Sequence, residues 1–357
     1  MTTAKLGRTA KLTDVAKAAG VSPGTVSNVF NKPEVVRPEV QERVRKVAEQ
    51  LGYRADPKGR LLRAGKVNAI GVATVDPLSY FFKDPYARIL MTGITEAAQA
   101  AGAGISLVSA ANREELAWNV ANALVDGYIL FCLEGSHELI RSATERNLPF
   151  VALSLEQEDK TISLIGIDNF AGAQAAARHL ADLGHRRFAV IAMKLSDDGS
   201  FGRATLDKVE KTTYSASRDR VRGYFDVLGA HDVDTAAIPI FETQEDARTV
   251  DAALEEIFAA PVPPTAILAE SDGIALIALD WLRARGISVP GDVSIVGFDG
   301  VPESATSTPP LTTVAQPIAE IGRRAVRAIL DYDGTITRQV LDVSLVVRGT
   351  TAPPRRA

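Results

Sequence analysis

The chain has 357 residues, with 40 Lys and Arg against 44 Asp and Glu, an apolar fraction of 46% and one cysteine. This length favours a small domain beside a larger one, in an ordinary globular protein. The single Cys132 excludes an internal disulfide and a zinc cluster built on several cysteines, which suits the reducing cytoplasm. We find no signal-peptide core and no apolar run long enough to cross a membrane, so we expect no membrane partner.

The charge is divided unevenly along the chain. Residues 1–66 hold 14 Lys and Arg against 6 Asp and Glu, a net charge of +8, whereas the remaining residues hold 26 against 38, a net charge of −12. A basic N-terminal part suits a polyanion such as nucleic acid, and an acidic remainder repels one. A basic surface that is merely solvated is the alternative.

The first predicted elements are two short helices within residues 11–31. Thr13 is expected to cap the first helix, and Gly20 to provide the left-handed turn that ends it. Ser22 is expected to cap the second helix, with Pro23 at its first position, where no N–H is needed. Two helices joined by a tight glycine turn are typical of a helix-turn-helix, whose second helix enters the major groove of DNA. A plain helical hairpin is the alternative.

The second helix has two different sides. Its buried stripe is predicted to consist of Val26, Val29 and Phe30. Its outward-pointing residues are predicted to be Thr25, Ser27 and Asn28. A third helix is predicted around residues 37–51, because apolar residues recur on one face at Val40, Val44, Val47 and Leu51. Together the three helices predict a DNA-binding head over residues 1–52.

The segments LTDVAKAAGVSPGTVSNVFN and VQERVRKVAEQLGYR resemble the head of lactose-repressor (LacI/GalR) family regulators. The resemblance implies a non-enzymatic transcriptional regulator, usually a repressor, that binds a pseudo-palindromic operator in double-stranded DNA. It also implies a homodimer, because the C-terminal tail lacks the leucine heptads of the tetrameric members. A small-molecule effector controls such regulators allosterically.

The base-reading positions depart from the family pattern. The first exposed positions of the recognition helix are Pro23 and Gly24, which carry no side-chain donor or acceptor. We therefore expect Asn28 to read bases, since an amide can bond adenine bidentately, with Thr25 beside it. The other expected DNA contacts, mainly to phosphates, are Thr13, Ser22, Ser27, Asn31 and Tyr53.

Residues 53–66 are predicted to form a hinge with a short helix that is marginal alone. In the family, paired hinge helices place a leucine into a minor-groove base step, and Leu62 matches that leucine. A flexible linker is the alternative.

From Val67 onward, strands alternate with helices, which predicts an α/β fold with parallel sheets. The segments IGIDNFAGAQAAARHLADLGH, ISVPGDVSIVGFDG and PPLTTVAQPIAEIGRRA extend the resemblance. It implies a body like the periplasmic binding proteins, with two doubly wound lobes, three crossovers and a ligand cleft. We expect a body over 67–357, with lobes of 67–164 plus 300–331 and of 165–299 plus 332–357. Residues 194–214 are predicted to form a long polar loop.

The resemblance also implies effector-binding positions. Arg220 and Asp299 match a family arginine and aspartate, although such residues at strand ends are often only a structural pair. The other expected contacts are Ser79, Tyr80, Ser154, Phe241 and Ser271. Ser154 and Ser271 stand where sugar binders often have Asp and Asn, which weakens the expectation of a simple hexose; a sugar or sugar-like effector is expected.

Two other functions are weighed. A solute-binding protein of a transport system would account for the body alone, but not for the basic head. An enzyme is disfavoured because the sequence has no phosphate loop, no His-Glu-x-x-His motif, no nucleophile elbow and no dinucleotide fingerprint. We therefore expect no catalytic residues, no metal and no cofactor.

Overall fold

The computed structural model describes residues 10–54, 66–74, 76–109, 113–131, 145, 148–153 and 162–355. The chain divides into two compact units, residues 1–67 and 68–357. The first unit contains the predicted head and hinge, and the second contains the predicted body. Most of the predicted hinge, with Leu62, lies outside the described residues, as does Ser154. Among the described residues, no helix has both the length and the apolar character needed to cross a bilayer.

The described part of the head contains the α-helices α1 (Leu12–Ala19), α2 (Pro23–Asn31) and α3 (Pro38–Gln50). Small and branched apolar residues from all three form one core: Val15, Ala16, Ala19, Val26, Val29, Val44 and Ala48. The turn between α1 and α2 is made by Gly20, whose φ of 66° lies in the left-handed region that glycine adopts without steric cost. The predicted helix-turn-helix is therefore confirmed.

Two predictions about the head need correction. Thr13 does not cap α1, because the helix already begins at Leu12 and the Asp14 carboxylate accepts the backbone N–H of Lys11 at 2.9 Å. Leu51 does not join the buried face of α3: α3 ends at Gln50, and Leu51 is 42% exposed beyond it. The predicted cap of α2 is confirmed, since the Ser22 hydroxyl accepts the N–H of Thr25 at 3.1 Å.

The body alternates strands and helices. Its helices are α4 (Tyr80–Lys83), α5 (Pro85–Ala100), α6 (Arg113–Asn122), α7 (Asn169–Asp182), α8 (Leu206–Lys211), α9 (Ser215–Ala230), α10 (Ala247–Ala259), α11 (Asp272–Ala284), α12 (Pro302–Thr306) and α13 (Ile318–Leu330). Its strands are β1 (Ala69–Thr74), β2 (Gly104–Ser109), β3 (Gly127–Leu130), β4 (Phe150–Ala152), β5 (Ser163–Ile167), β6 (Phe188–Ala192), β7 (Gly202–Ala204), β8 (Ile240–Glu242), β9 (Ala266–Ala269), β10 (Ser294–Asp299), β11 (Thr312–Ala315), β12 (Arg338–Leu341) and β13 (Ser344–Val346).

The strands form two sheets, one in each lobe. The first sheet has the order β12-β5-β4-β3-β1-β2, and its paired strands run parallel. The second has the order β13-β11-β10-β9-β6-β8-β7, in which only the edge strands β13 and β7 pair antiparallel. Central strands such as β6 and β9 are wholly buried, as expected for a sheet covered by helices on both faces.

The chain crosses between the lobes after β5, after β11 and after β12, in agreement with the three predicted crossovers. The predicted lobe bounds shift at three places. Strand β5 belongs to the first sheet, so the first crossover follows Ile167. Strand β11 pairs with β10 in the second sheet, and β12 pairs with β5 in the first.

The segment 194–214 is not the irregular loop that its polar composition predicts. It contains β7, which closes one edge of the second sheet, and α8. A buried carboxylate, Glu242, anchors the segment: it accepts the N–H of Leu195 at 2.8 Å and lies 2.5 Å from the ammonium group of Lys208. Long-range pairing to a buried charge therefore supplies the order that local sequence patterns do not show.

One close helix pair stabilises each lobe. Helices α5 and α13 pack in the first lobe, where a Cβ at Gly93 would lie 2.0 Å from the carbonyl oxygen of Ala319. Helices α7 and α9 pack in the second lobe, where a Cβ at Gly223 would lie 2.4 Å from the carbonyl oxygen of Phe170. Because only glycine fits such a backbone approach, these two positions fix how the helices lie against each sheet.

Candidate DNA-binding surface and ligand cleft

Helix α2 presents a small polar surface. Pro23, Gly24 and Asn28 are exposed, and Thr25 is partly exposed with its hydroxyl 2.9 Å from that of Ser22. Among these, Asn28 carries the longest exposed side chain with both donor and acceptor atoms. The arrangement leaves its amide available to the edge of a base pair.

Ser27 does not point outward as predicted. Its side chain is only 4% exposed, and the amide of Asn31 donates to its carbonyl oxygen at 2.8 Å and to its hydroxyl at 3.2 Å. Position 27 lies one residue from the buried Val26, so it falls on the edge of the apolar stripe. A serine tolerates this place because its polar atoms are bonded within the helix turn.

The remaining predicted DNA contacts lie at different depths. Thr13 is exposed on α1, and Asn31 is exposed at the end of α2. Tyr53 is partly buried against the head core, with its ring centroid 5.7 Å from that of Phe30. A tyrosine in this position can present its hydroxyl to solvent while its ring stabilises the fold.

The body contains a cavity between the two lobes, at the carboxyl ends of the strands, where open α/β sheets bind their ligands. Its volume is about 130 Å³. A buried water occupies about 10–15 Å³ on this scale, so the cavity suits a compact molecule of monosaccharide size. Four of the predicted ligand residues line it: Tyr80, Arg220, Ser271 and Asp299.

Arg220 lies at the centre of the polar wall. It is buried on α9, and its Nε donates to the side-chain oxygen of Asn169 at 2.9 Å. One terminal nitrogen donates to the carbonyl oxygen of Glu270, and the guanidinium group stacks 3.7 Å from the ring centroid of Phe298. These contacts hold the guanidinium in one orientation before any ligand arrives.

Asp299 faces Arg220 from the end of β10. Its carboxylate lies 3.9 Å from the guanidinium and accepts the amide of Gln316 at 2.7 Å. Burial raises the pKa of Asp299 well above its usual range, against the opposing effect of Arg220. Its φ of 133° lies in a region that residues other than glycine rarely adopt, which is common at binding sites.

A second buried carboxyl group lies beside this pair. The Glu270 side chain accepts the N–H of Met193 at 2.9 Å and the hydroxyl of Ser217 at 2.5 Å. Its other oxygen has no hydrogen-bond partner among the described residues. Burial raises the pKa of Glu270 to about 8, so this carboxyl is largely protonated at neutral pH.

Three predicted ligand residues are not found in the cavity wall. Ser79 is exposed at the start of α4 and does not line the cavity, and Ser154 lies outside the described residues. Phe241 is 1% exposed in the core beside α10 and α11, so the prediction that it contacts the effector is not supported by its position. Alternation along β8 turns its side chain toward that core. Ser271 reaches the cavity while capping α11, since it accepts the N–H of Ile274 at 3.1 Å.

Several lining residues escaped the sequence analysis: Asp84, Tyr86, Phe131, Asn169, Lys194, Tyr214, Glu245 and Gln316. Lys194, Glu245 and Gln316 each follow a strand at its carboxyl end, and this position is the sequence feature that could have identified them as cleft residues. The aromatic residues come from the first lobe and the β6–α9 connection, and Tyr80 and Phe131 stack with centroids 6.0 Å apart. Among the described residues, no cluster of His, Cys, Asp and Glu is arranged to hold a metal ion.

Comparison with known proteins agrees with both units. Residues 11–56 match the family described as bacterial regulatory proteins, lacI family, and residues 177–351 match the periplasmic binding protein-like domain. The HTH-type transcriptional regulator Rv3575c of Mycobacterium tuberculosis is 34% identical over 97% of this chain and 98% of its own length.

Solved structures show the same architecture. The Lac repressor dimer bound to operator and the anti-inducer ONPF has a TM-score of 0.76 at 26% identity, over 97% of this chain and all of that one. A transcriptional regulator CelR–cellobiose complex has a TM-score of 0.69 at 28% identity, over 96% of this chain and all of that one. With a helix-turn-helix head, a two-lobed body and relatives named as transcriptional regulators, the chain belongs to the LacI family of bacterial regulatory proteins.

Proposed function

We propose that this regulator is a cytoplasmic repressor that binds a pseudo-palindromic operator as a homodimer and responds to a sugar or sugar-like molecule. The observation that carries the proposal is the presence, in one chain, of an exposed recognition helix and an inter-lobe cavity with a preorganised arginine. We retain the division into a head (1–52), a hinge (53–66) and a body (67–357). One head reaches too few base pairs for useful specificity, which is why a dimer is required.

The DNA contacts follow from the exposure of α2. Asn28 reads a base in the major groove, and Thr25 contacts a thymine methyl group or a phosphate. Ser22, Asn31, Thr13 and Tyr53 position the head on the backbone, with Leu62 as the minor-groove residue of the hinge. Because Ser27 is buried and bonded to Asn31, it supports the helix and does not read bases.

The effector binds in the cavity. Arg220 and Asp299 present a donor fork and an acceptor to a polar ligand, and Tyr80 and Phe131 offer aromatic faces to its apolar side. The cellobiose complex of a structurally similar regulator supports a carbohydrate-sized ligand. Closure of the lobes on the ligand changes the geometry of the dimer and so its affinity for DNA. By linkage, DNA changes the affinity for the effector by the same factor.

The test is a selection of random DNA duplexes by the full-length chain. We expect an enriched pseudo-palindrome, with affinity that falls steeply as salt increases. As a control, Val26→Asp places a charge in the head core, where Val26 is fully buried, and leaves the body sequence unchanged. If the unmodified chain enriches DNA sequences no more than the Val26→Asp variant does, the proposal is contradicted and a solute-binding protein is favoured.

A further inference from the structure

The charged groups in the wall of the ligand cavity are not balanced. Two basic side chains line it, Lys194 and Arg220. The Lys194 ammonium group lies 2.9 Å from the carboxylate of Asp76. The Arg220 guanidinium lies 3.9 Å from Asp299 and donates to the neighbouring oxygens described above. Each basic side chain in the wall therefore already faces a carboxylate of the protein.

Three further carboxylates line the same cavity. Asp219 lies 3.3 Å from Arg218 and so has its own cation. The other two are Asp84 from the first lobe and Glu245 from the second, and within the described part of the chain neither Asp84 nor Glu245 forms an ion pair. Asp84 accepts the N–H of Ala87 at 2.8 Å as the cap of α5 and also accepts hydrogen bonds from the Tyr80 side chain and the N–H of Tyr86. The Glu245 carboxylate accepts no hydrogen bond from a described residue. The cavity wall thus has two carboxylates of like charge with no ion-pair partner among the described residues.

The charge of Asp84 acts on Glu245 across the cleft. Burial and then the charge of Asp84 raise the pKa of Glu245 to about 7, against the opposing charges of Lys194 and Arg220. Burial also raises the pKa of Asp84. Burial is the largest cause of both shifts, so the negative charge of each carboxylate is disfavoured at its place in the cleft.

The aromatic residues of the cavity fit the same partner. The rings of Tyr80 and Tyr86 stack on Phe131 with centroids 6.0 and 6.2 Å away. Tyr214 joins the wall from the second lobe, and the Lys194 ammonium group already lies over its ring, 5.2 Å from the centroid. Aromatic faces attract cations through their electron-rich surfaces. The surroundings of the cavity therefore favour positive charge.

We propose that the molecule bound in this cleft carries an amino group, held as an ammonium ion between Asp84 and Glu245. The inference rests on the proposed function, which it deepens by assigning the effector to amine-bearing molecules and excluding phosphates. Because the two carboxylates come from opposite lobes, the ammonium ion replaces a repulsion across the cleft with two attractions. Binding of the amine therefore favours closure directly.

The experiment measures thermal unfolding of the full-length chain at pH 7.5 and constant ionic strength. The probes are glucosamine, galactosamine and mannosamine, each compared with its neutral parent hexose and with the 6-phosphate of that hexose. We expect at least one amine to raise the Tm by about 2–4 °C more than its parent, and no phosphate to do so. An equal response to amine and parent in all three sets, or a larger response to a phosphate, overturns the proposal.

Charge-neutralising variants provide the second arm. Glu245→Gln and Asp84→Asn keep the size of each side chain, and asparagine retains the capping ability of position 84. For the best amine, we expect each variant to lose at least tenfold in affinity, with less than a twofold change for the neutral parent. Glu256→Gln, on the exposed side of α10, is the matched control and should change neither. Equal losses of affinity for the amine and for its neutral parent also overturn the proposal. The proposed function as an operator-binding regulator is tested separately, by the DNA selection described above.

Discussion

The ammonium group of Lys194 lies 2.9 Å from the carboxylate of Asp76, and this pair joins the second lobe to the first. Lys194 follows β6 and Asp76 follows β1, so each residue stands beyond the carboxyl end of its strand. Their side chains are 20% and 18% exposed. A pair so far removed from water is screened less than a surface pair, and it contributes to holding the lobes together.

Lys194→Gln should lower the free energy of unfolding by about 1–2 kcal/mol, because it leaves the Asp76 carboxylate partly buried without its partner. Urea unfolding measured by circular dichroism checks this value. Lys211→Gln is the control, since its pair with Asp207 is 75% and 69% exposed and should contribute less than about 0.5 kcal/mol. If both substitutions lower the free energy of unfolding equally, the inter-lobe pair contributes no more to stability than the exposed pair does.

Asn28→Ala should relax base preference at one position in each half-site by about 1–3 kcal/mol, because it removes the exposed amide of α2. Ser27→Ala removes the buried hydroxyl that accepts from Asn31 and should leave the base preference unchanged. Binding to a panel of single-base operator variants separates the two residues. If Ser27→Ala changes the base preference and Asn28→Ala does not, the base contact is made by Ser27, and its assignment to Asn28 is wrong.

Glu270 should make stability depend on pH. Its pKa in the folded state is about 8, raised from an ordinary value of 4.5 mainly by burial, so the folded state binds the proton more tightly than the unfolded state. Stability therefore falls as the pH rises from about 4.5 through about 8, with a loss of about 2 kcal/mol between pH 6 and pH 8.

Glu270→Gln should remove that part of the slope, as measured by urea unfolding at pH 6 and at pH 8. The exposed Glu256→Gln should retain the wild-type slope. An unchanged slope in Glu270→Gln would mean that the carboxyl is already ionised at pH 6.

Gly93→Ala should destabilise the first lobe by about 1–3 kcal/mol or more, because its Cβ would lie 2.0 Å from the carbonyl oxygen of Ala319. Gly229→Ala, also within a helix, has no atom closer than 3.9 Å to the new Cβ and should be neutral or stabilising by up to about 1 kcal/mol. Thermal unfolding distinguishes them. A tolerated alanine at position 93 would show that α5 and α13 can move apart.

The sequence predicts most of the elements because their signals are local. Ser22 and Pro23 mark the start of α2, Gly20 marks the preceding turn, and apolar periodicity marks the strands and helices of both lobes. Arg220 and Asp299 line the cleft because strand and helix ends converge on one edge of each sheet.

The missed features depend on contacts between distant residues. Phe241 stands near the end of a strand, as a ligand residue would, but the register of β8 turns it into the core. Asp84 reads as a helix cap, and only the approach of the second lobe brings it near Glu245. Order in residues 194–214 depends on the buried Glu242, which no local pattern marks.

Coupling between the ligand cleft and the DNA-binding surface is tested most directly by the affinity of the full-length chain for its selected operator, measured with and without a small molecule that raises its Tm. We expect a change of about 5- to 150-fold, the usual range of coupling between two sites on a regulator. An operator affinity that stays the same at saturating ligand would contradict it.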